Sequence, residues 1–181
     1  MPIPNSILHL IKTAMVNAHF LAFTNMDNGL HRTDVEVEDG KPVFTDVKLP
    51  IWKFMRHSSP EMGRVMKETE KRFDSLRDEI NIAKRESDHY PWALFARLHP
   101  EKFYSDLFEA VLGAIWVDSG NMETCAAFLA KFGIFTYLDR ILEDKVHVKH
   151  PKEEFCVMAG DKKPAFLLSE GDGPMIDWGS Q

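Results

Sequence analysis

Asp106 and Glu109 stand three residues apart in a stretch, Phe103 to Gly120, whose apolar residues recur at helical spacing. On a helix, that spacing turns both carboxylates out of one face as neighbours. Leu107, Phe108, Val111, Leu112, Ala114 and Ile115 surround them, so the helix should be largely buried. Two adjacent acids on a buried helix repel each other and lose hydration, which is costly unless a cation lies between them. Carboxylate oxygens suit a hard divalent ion, Mg2+ or Mn2+. The plainer reading is a pair of solvated helix acids, and periodicity alone favours it. Gly113 is unusual in mid-helix, where it costs about 1 kcal/mol against Ala. Close approach of a neighbouring helix would explain it, helped by Ala110 and Ala114.

Other side chains offer less. His147 and His150 lie three apart but next to Pro151, and read as a solvated loop rather than as metal ligands. Ser105 has no nucleophile-elbow context. Cys125, among Ala126 and Phe128, reads as a small buried hydrophobe. Trp92 and Phe95 read as core rather than as a platform for stacked bases.

The elements that must position Asp106 and Glu109 are helical. Residues 6–24 carry Ile7, Leu10, Ile11, Ala14, Met15, Ala18, Leu21 and Ala22, which predicts one helix with Ser6 as its cap. Asn28-Gly29, Asp39-Gly40 and Pro42 break the pattern, and loosely alternating valines predict a surface insertion over 25–48, with a short hairpin in it. Met62, Met66, Thr69, Phe73, Leu76, Ile80 and Ala83 draw one stripe along a long helix, 60–87, with a solvated outer face. Helices over 101–118, 122–131 and 135–143 follow, the first opened by Pro100 and closed by Gly120. Pro151 opens a last short helix, and the turn-rich residues after it predict a mobile tail, 157–181. The fold class is all-α, a compact helical bundle.

Composition narrows the partners. The chain has 181 residues, enough for one domain with a sizeable core. Lys and Arg number 22 against 28 Asp and Glu, a net charge of −6 that disfavours a generic basic coat for nucleic acid but leaves nucleic acid open, because a metal site can carry the phosphate contact. Two cysteines at no metal-like spacing argue against a disulfide framework and against zinc. No segment reads as membrane-spanning, because His9, Lys12, Asn17 and His19 interrupt the most apolar stretch. No basic residue precedes that stretch as in a signal peptide, so an intracellular place, cytoplasmic or nuclear, is expected.

The run "SDLFEAVLGAIWVDSG" resembles the second signature block of ribonuclease III domains, D-x-x-E-A-x-x-G-A-x-x-x-D-x-G. Asp106, Glu109, Ala110, Gly113, Ala114, Asp118 and Gly120 all fall in place. "LHLIKTAMVNAHFLAF" is similar to the family helix L-x-x-x-R-x-x-x-V-N-x-x-x-L-A, with Lys12 in the basic slot. "YPWALFARLHPEKFYSD" and "HPKEEF" resemble the C-terminal ribonuclease III domain of fungal Dicer-like proteins, the Dicer-like protein 2 group. The resemblance implies a ribonuclease III-type helical bundle, with Asp106 and Glu109 as Mg2+ (or Mn2+) ligands and Lys102 beside the reacting phosphate. It implies metal-dependent hydrolysis of double-stranded RNA in RNA processing and silencing, by a pair of ribonuclease III domains.

One departure matters. The family's first block, E-x-L-E-F-L-G-D, supplies the remaining acids, and residues 1–26 contain no Asp or Glu. The expectation is therefore a partial, N-terminally truncated ribonuclease III domain over 1–156, impaired in activity and exposing apolar surface that promotes association. The alternative is a catalytically inactive helical module that pairs with another ribonuclease III domain.

Overall fold

A computed structural model describes residues 3–160 and the backbone of two short strands, Ala165–Leu167 and Met175–Asp177. Residues 1–148 form one compact unit and 149–181 another. In chain order the first holds α1 (Asn5–Met15), α2 (Ala18–Asp27), β1 (Leu30–Glu38), β2 (Lys41–Leu49), a 3-10 turn (Ile51–Phe54), α3 (Pro60–Glu86), α4 (Trp92–Leu98), α5 (Lys102–Ser119), α6 (Met122–Lys131) and α7 (Ile134–Glu143). The mostly helical architecture is the one expected, and the helices predicted over 60–87, 101–118, 122–131 and 135–143 lie close to their predicted spans, whereas α4 and the two short strands near the C-terminal end were not predicted. No single helix among the described residues is long and apolar enough to cross a membrane.

The predicted helix 6–24 is two helices, bent by 49° at Val16-Asn17. Asn17 causes the break. Its side-chain oxygen accepts the backbone N–H groups of His19 (3.0 Å) and Phe20 (3.2 Å), capping a new helix in mid-pattern. Ser6 does not cap α1. Pro4 occupies that position, and its carbonyl accepts the N–H groups of Ile7 and Leu8, both at 3.0 Å. The predicted insertion also begins later than residue 25. Asn25 and Met26 are buried within α2, so the insertion is the hairpin β1–β2.

That hairpin is antiparallel, from Leu30 opposite Leu49 to Glu38 opposite Lys41. Asp39 (φ 50°) and Gly40 (φ 72°) make its two-residue turn, the geometry that matches strand twist. Glycine is required at its root, because a Cβ on Gly29 would lie 2.5 Å from the Leu49 carbonyl oxygen.

The core is aromatic. Phe20 and Phe23 of α2 meet Phe95 of α4 at ring separations of 5.9 and 5.8 Å, and Phe20 meets Tyr137 of α7 at 5.5 Å. The buried Tyr90 donates its hydroxyl to the Ala14 carbonyl at 2.7 Å, tying the segment before α4 to α1. Phe95 is core, as predicted, and Trp92 is half-buried against it. The α3 stripe packs through Thr69, Phe73, Leu76 and Ile80. Arg72 on the same helix donates to the carbonyls of Leu98 (3.0 Å) and His99 (3.2 Å), satisfying the end of α4. His99 takes a left-handed conformation there (φ 42°) and Pro100 follows it, so the chain must leave the helix before α5.

In the second unit, α8 (Pro151–Ala159) begins at a proline, with His150 accepting the Lys152 N–H at 3.1 Å. Residues 157–159 of the predicted tail belong to this helix. β3 (Ala165–Leu167) and β4 (Met175–Asp177) pair antiparallel. The rest of the predicted tail lies outside the described residues.

His19 is half-buried near His99, and burial, then the His99 charge, hold its pKa below the usual 6.5. Below pH 6.5 the unfolded chain therefore binds the proton more readily than the folded one, so this contribution is present above pH 6.5 and is lost as pH falls. Urea unfolding at pH 7.5 and 5.5 should show a smaller acid-side loss of stability in His19→Gln than in the parent chain.

Candidate active site

The N-terminal half of α5 is clamped and its C-terminal half is open. Tyr104, Ser105 and Phe108 are buried. Asn25, fully buried on α2, donates its amide N–H to the Tyr104 carbonyl at 2.8 Å. Tyr104 packs edge-on against Trp52 of the 3-10 turn at 5.8 Å, and Phe108 joins Phe128 and Phe132 of the α6 region at 5.4 and 5.5 Å. These contacts leave one direction for the exposed face, and that face carries Lys102, Asp106 and Glu109.

The structure brings the three predicted site residues together. Lys102 and Asp106 form an ion pair at 2.5 Å across one helical turn. The hydrogen bond to Asp106, then its charge, and more weakly the charge of Glu109, hold the Lys102 ammonium above its ordinary pKa. All three groups therefore share one electrostatic patch. Asp106 and Glu109 are both exposed, as the plainer reading of two solvated helix acids had it and not as the apolar neighbours predicted. The reason is that the apolar residues of the second half of α5 are themselves only half-covered, and Trp116 and Val117 are 47% and 83% exposed.

Gly113 also departs from expectation. A Cβ there would meet no atom within 4 Å, so no helix crosses it closely. It lines an apolar groove of about 530 Å³ instead, between Leu112, Gly113 and Trp116 on α5, Met122 and Leu129 on α6, and Phe135 on α7. Glu109 lies on the wall of that groove, so the acidic patch and the groove share a border. Cys125 is buried and reaches the groove wall. The groove was missed from sequence because Leu112, Trp116 and Leu129 fit a core helix as well as a surface one. The lone signal was Gly113, which adds no side chain to fill the space.

No cluster of three or more His, Cys, Asp or Glu side chains among the described residues can hold a metal ion. Asp106 and Glu109 supply hard oxygens of the chemistry Mg2+ prefers, but they are two, and Lys102 already neutralises one. The donors present thus fit part of a Mg2+ site.

Three relatives show what the chain is similar to. Dicer-like protein 2 of Cryphonectria parasitica is 42% identical over 195 residues, covering 94% of this chain and 13% of that protein. The chain is related to a segment of the fungal Dicer-like protein 2 family. The proteins of that name from Neurospora crassa and Pyricularia oryzae are 36% and 37% identical over 87% and 93% of this chain, and 12% of each relative is covered. The chain thus spans about one eighth of the length of these Dicer-like relatives. Relationship and helical architecture together agree with a Dicer-type ribonuclease III-like domain. No family model and no solved structure matches the chain.

Replacing Asp106 by Asn should lower the Lys102 pKa toward the ordinary lysine value, and Glu109→Gln should lower it less. A 13C-detected NMR titration of the Lys102 side chain reads both, and equal shifts would contradict the arrangement.

Proposed function

We propose that the chain is a double-stranded-RNA endoribonuclease domain of the ribonuclease III/Dicer type, acting inside the cell in RNA processing and silencing. The exposed Lys102–Asp106–Glu109 face of α5 is its catalytic face. The observation that carries this reading is the convergence of the three groups on one rigidly held helix whose sequence matches a Dicer-like 2 segment.

Asp106 and Glu109 would hold Mg2+ (or Mn2+), with water and further oxygens completing the shell. Bound there, the ion supplies activation of a water molecule and stabilisation of the leaving oxygen in phosphodiester hydrolysis. The residues' own roles follow from placement. Glu109 stands one turn from Asp106 and borders the groove, so it fixes one side of the site. Lys102 keeps its proton and can offer N–H donors to a phosphate oxygen once Asp106 turns toward a cation. Duplex RNA would be bound through phosphates and 2′-hydroxyls rather than base edges. The net charge of −6 gives the isolated chain little pull on that polyanion.

A second ribonuclease III domain is the proposed partner. The apolar groove beside Glu109, with Trp116 at 47% and Met122 at 68% exposure, supports an association surface adjoining the site. The donor count favours a second reading for the chain by itself, a pairing module without activity. Two carboxylates, one already in an ion pair, hold Mg2+ weakly.

The test is a labelled RNA duplex incubated in Mg2+ with the isolated chain and with a Dicer-like protein 2 that carries this segment. Little or no cutting is expected from the chain alone. The longer protein should cut, and Asp106→Ala or Glu109→Ala should lower its rate by about 100-fold or more, while Thr13→Ala on the far helix should not. Unchanged cutting by Glu109→Ala would remove α5 from the catalytic site. Robust cutting by the isolated chain, lost on Glu109→Ala, would refute the claim that its donor set is too small.

A further inference from the structure

We propose that the hairpin β1–β2 is a protein-docking arm, whose β1 edge accepts an extended segment alternating basic and apolar residues. Its two strands are exposed along nearly their whole length, and no third strand pairs with either among the described residues. An antiparallel ladder turns the N–H and C=O of every second residue outward, so a two-stranded sheet keeps two open edges. The edges differ. β2 contains Pro42, which has no N–H to offer, with Lys41 beside it and Lys48 near the other end. β1 is nine residues without proline and offers a continuous template.

The side chains of β1 specify what would pair there. Asp34, Glu36 and Glu38 project from one face, and Val35 and Val37 from the other. Arg32 neutralises Asp34 at 2.6 Å, whereas Glu36 and Glu38 make no ion pair among the described residues. On the opposite face Val35 lies across from Phe44 and Val37 across from Pro42. Val35, Val37 and Phe44 are 57%, 73% and 68% exposed, an apolar strip with no internal partner. A strand added to β1 would place every second residue beside Glu36 and Glu38 and the alternate ones beside the strip. Lysine or arginine meets the first row and β-branched or aromatic residues the second, each as a favourable cross-strand pair. RNA is the wrong ligand for this edge, since phosphates would face the unpaired glutamates.

Fluorescence anisotropy with a labelled nine-residue peptide alternating lysine and valine tests the proposal on the whole chain. Saturable binding is expected, with NMR amide shifts concentrated on β1 rather than β2. Glu36→Lys with Glu38→Lys should weaken binding by about tenfold or more, from two cross-strand pairs turned repulsive. Both positions are exposed, and an unchanged circular dichroism spectrum confirms that the double variant is folded. A peptide of the same composition with its lysines in one block should bind at least about tenfold more weakly, because only alternation serves both faces. Equal binding of the block peptide, undiminished binding by the double variant, or a labelled RNA duplex engaging the hairpin would each overturn the proposal.

Discussion

A single buried hydrogen bond sets the frame for the candidate site. The Asn25 amide, fully buried, reaches from α2 to the Tyr104 carbonyl in the first turn of α5. Leaving that buried N–H unpaired would be costly, so the bond favours the register of the two helices in which it is made. Tyr104 and Phe108 fix the rotation of α5 by packing on Trp52, Phe128 and Phe132. Lys102, Asp106 and Glu109 share one outward face because those neighbours occupy the other side.

The same constraint divides α5 into two halves with different physics. The first half is anchored and presents charge to water. The second presents apolar surface, and Gly113 leaves the groove beside Glu109 unfilled. A charged site bordered by an apolar groove is a poor arrangement for an isolated surface helix. It makes sense for a helix that shares its outer surface with another body, and this joins the proposed chemistry to the proposed pairing. The hairpin is a separate matter. It leaves the C-terminal end of α2, and Lys48 ties its root to the Asp27 carbonyl at 2.8 Å.

Much of this was legible in the sequence, for reasons that can be named. Pro60, Pro100, Gly120 and Pro151 punctuate helices by backbone geometry alone, so those boundaries fell where expected. The three-residue spacing of Asp106 and Glu109 fixed their common face whatever packed around them. Burial was less legible. The pattern around Val111, Leu112 and Ile115 reports that a helix has apolar faces, not that another element covers them. Asn17 read as one polar residue in an amphipathic run, yet its side chain captures two backbone N–H groups and starts a new helix. Asn25 was unreadable for a related reason: its partner is a backbone carbonyl 79 residues away, which no local pattern encodes.

Mn2+ titration followed by paramagnetic broadening of backbone amide signals tests the central claim most directly. It asks whether the α5 face is a divalent-ion site, independently of whether the chain cuts RNA. Broadening should centre on Asp106 and Glu109 at millimolar Mn2+, a range befitting two ligands, and should vanish in Asp106→Asn with Glu109→Gln. Broadening that spares α5, or that centres instead on the hairpin acids Glu36, Glu38 and Asp39, would contradict it.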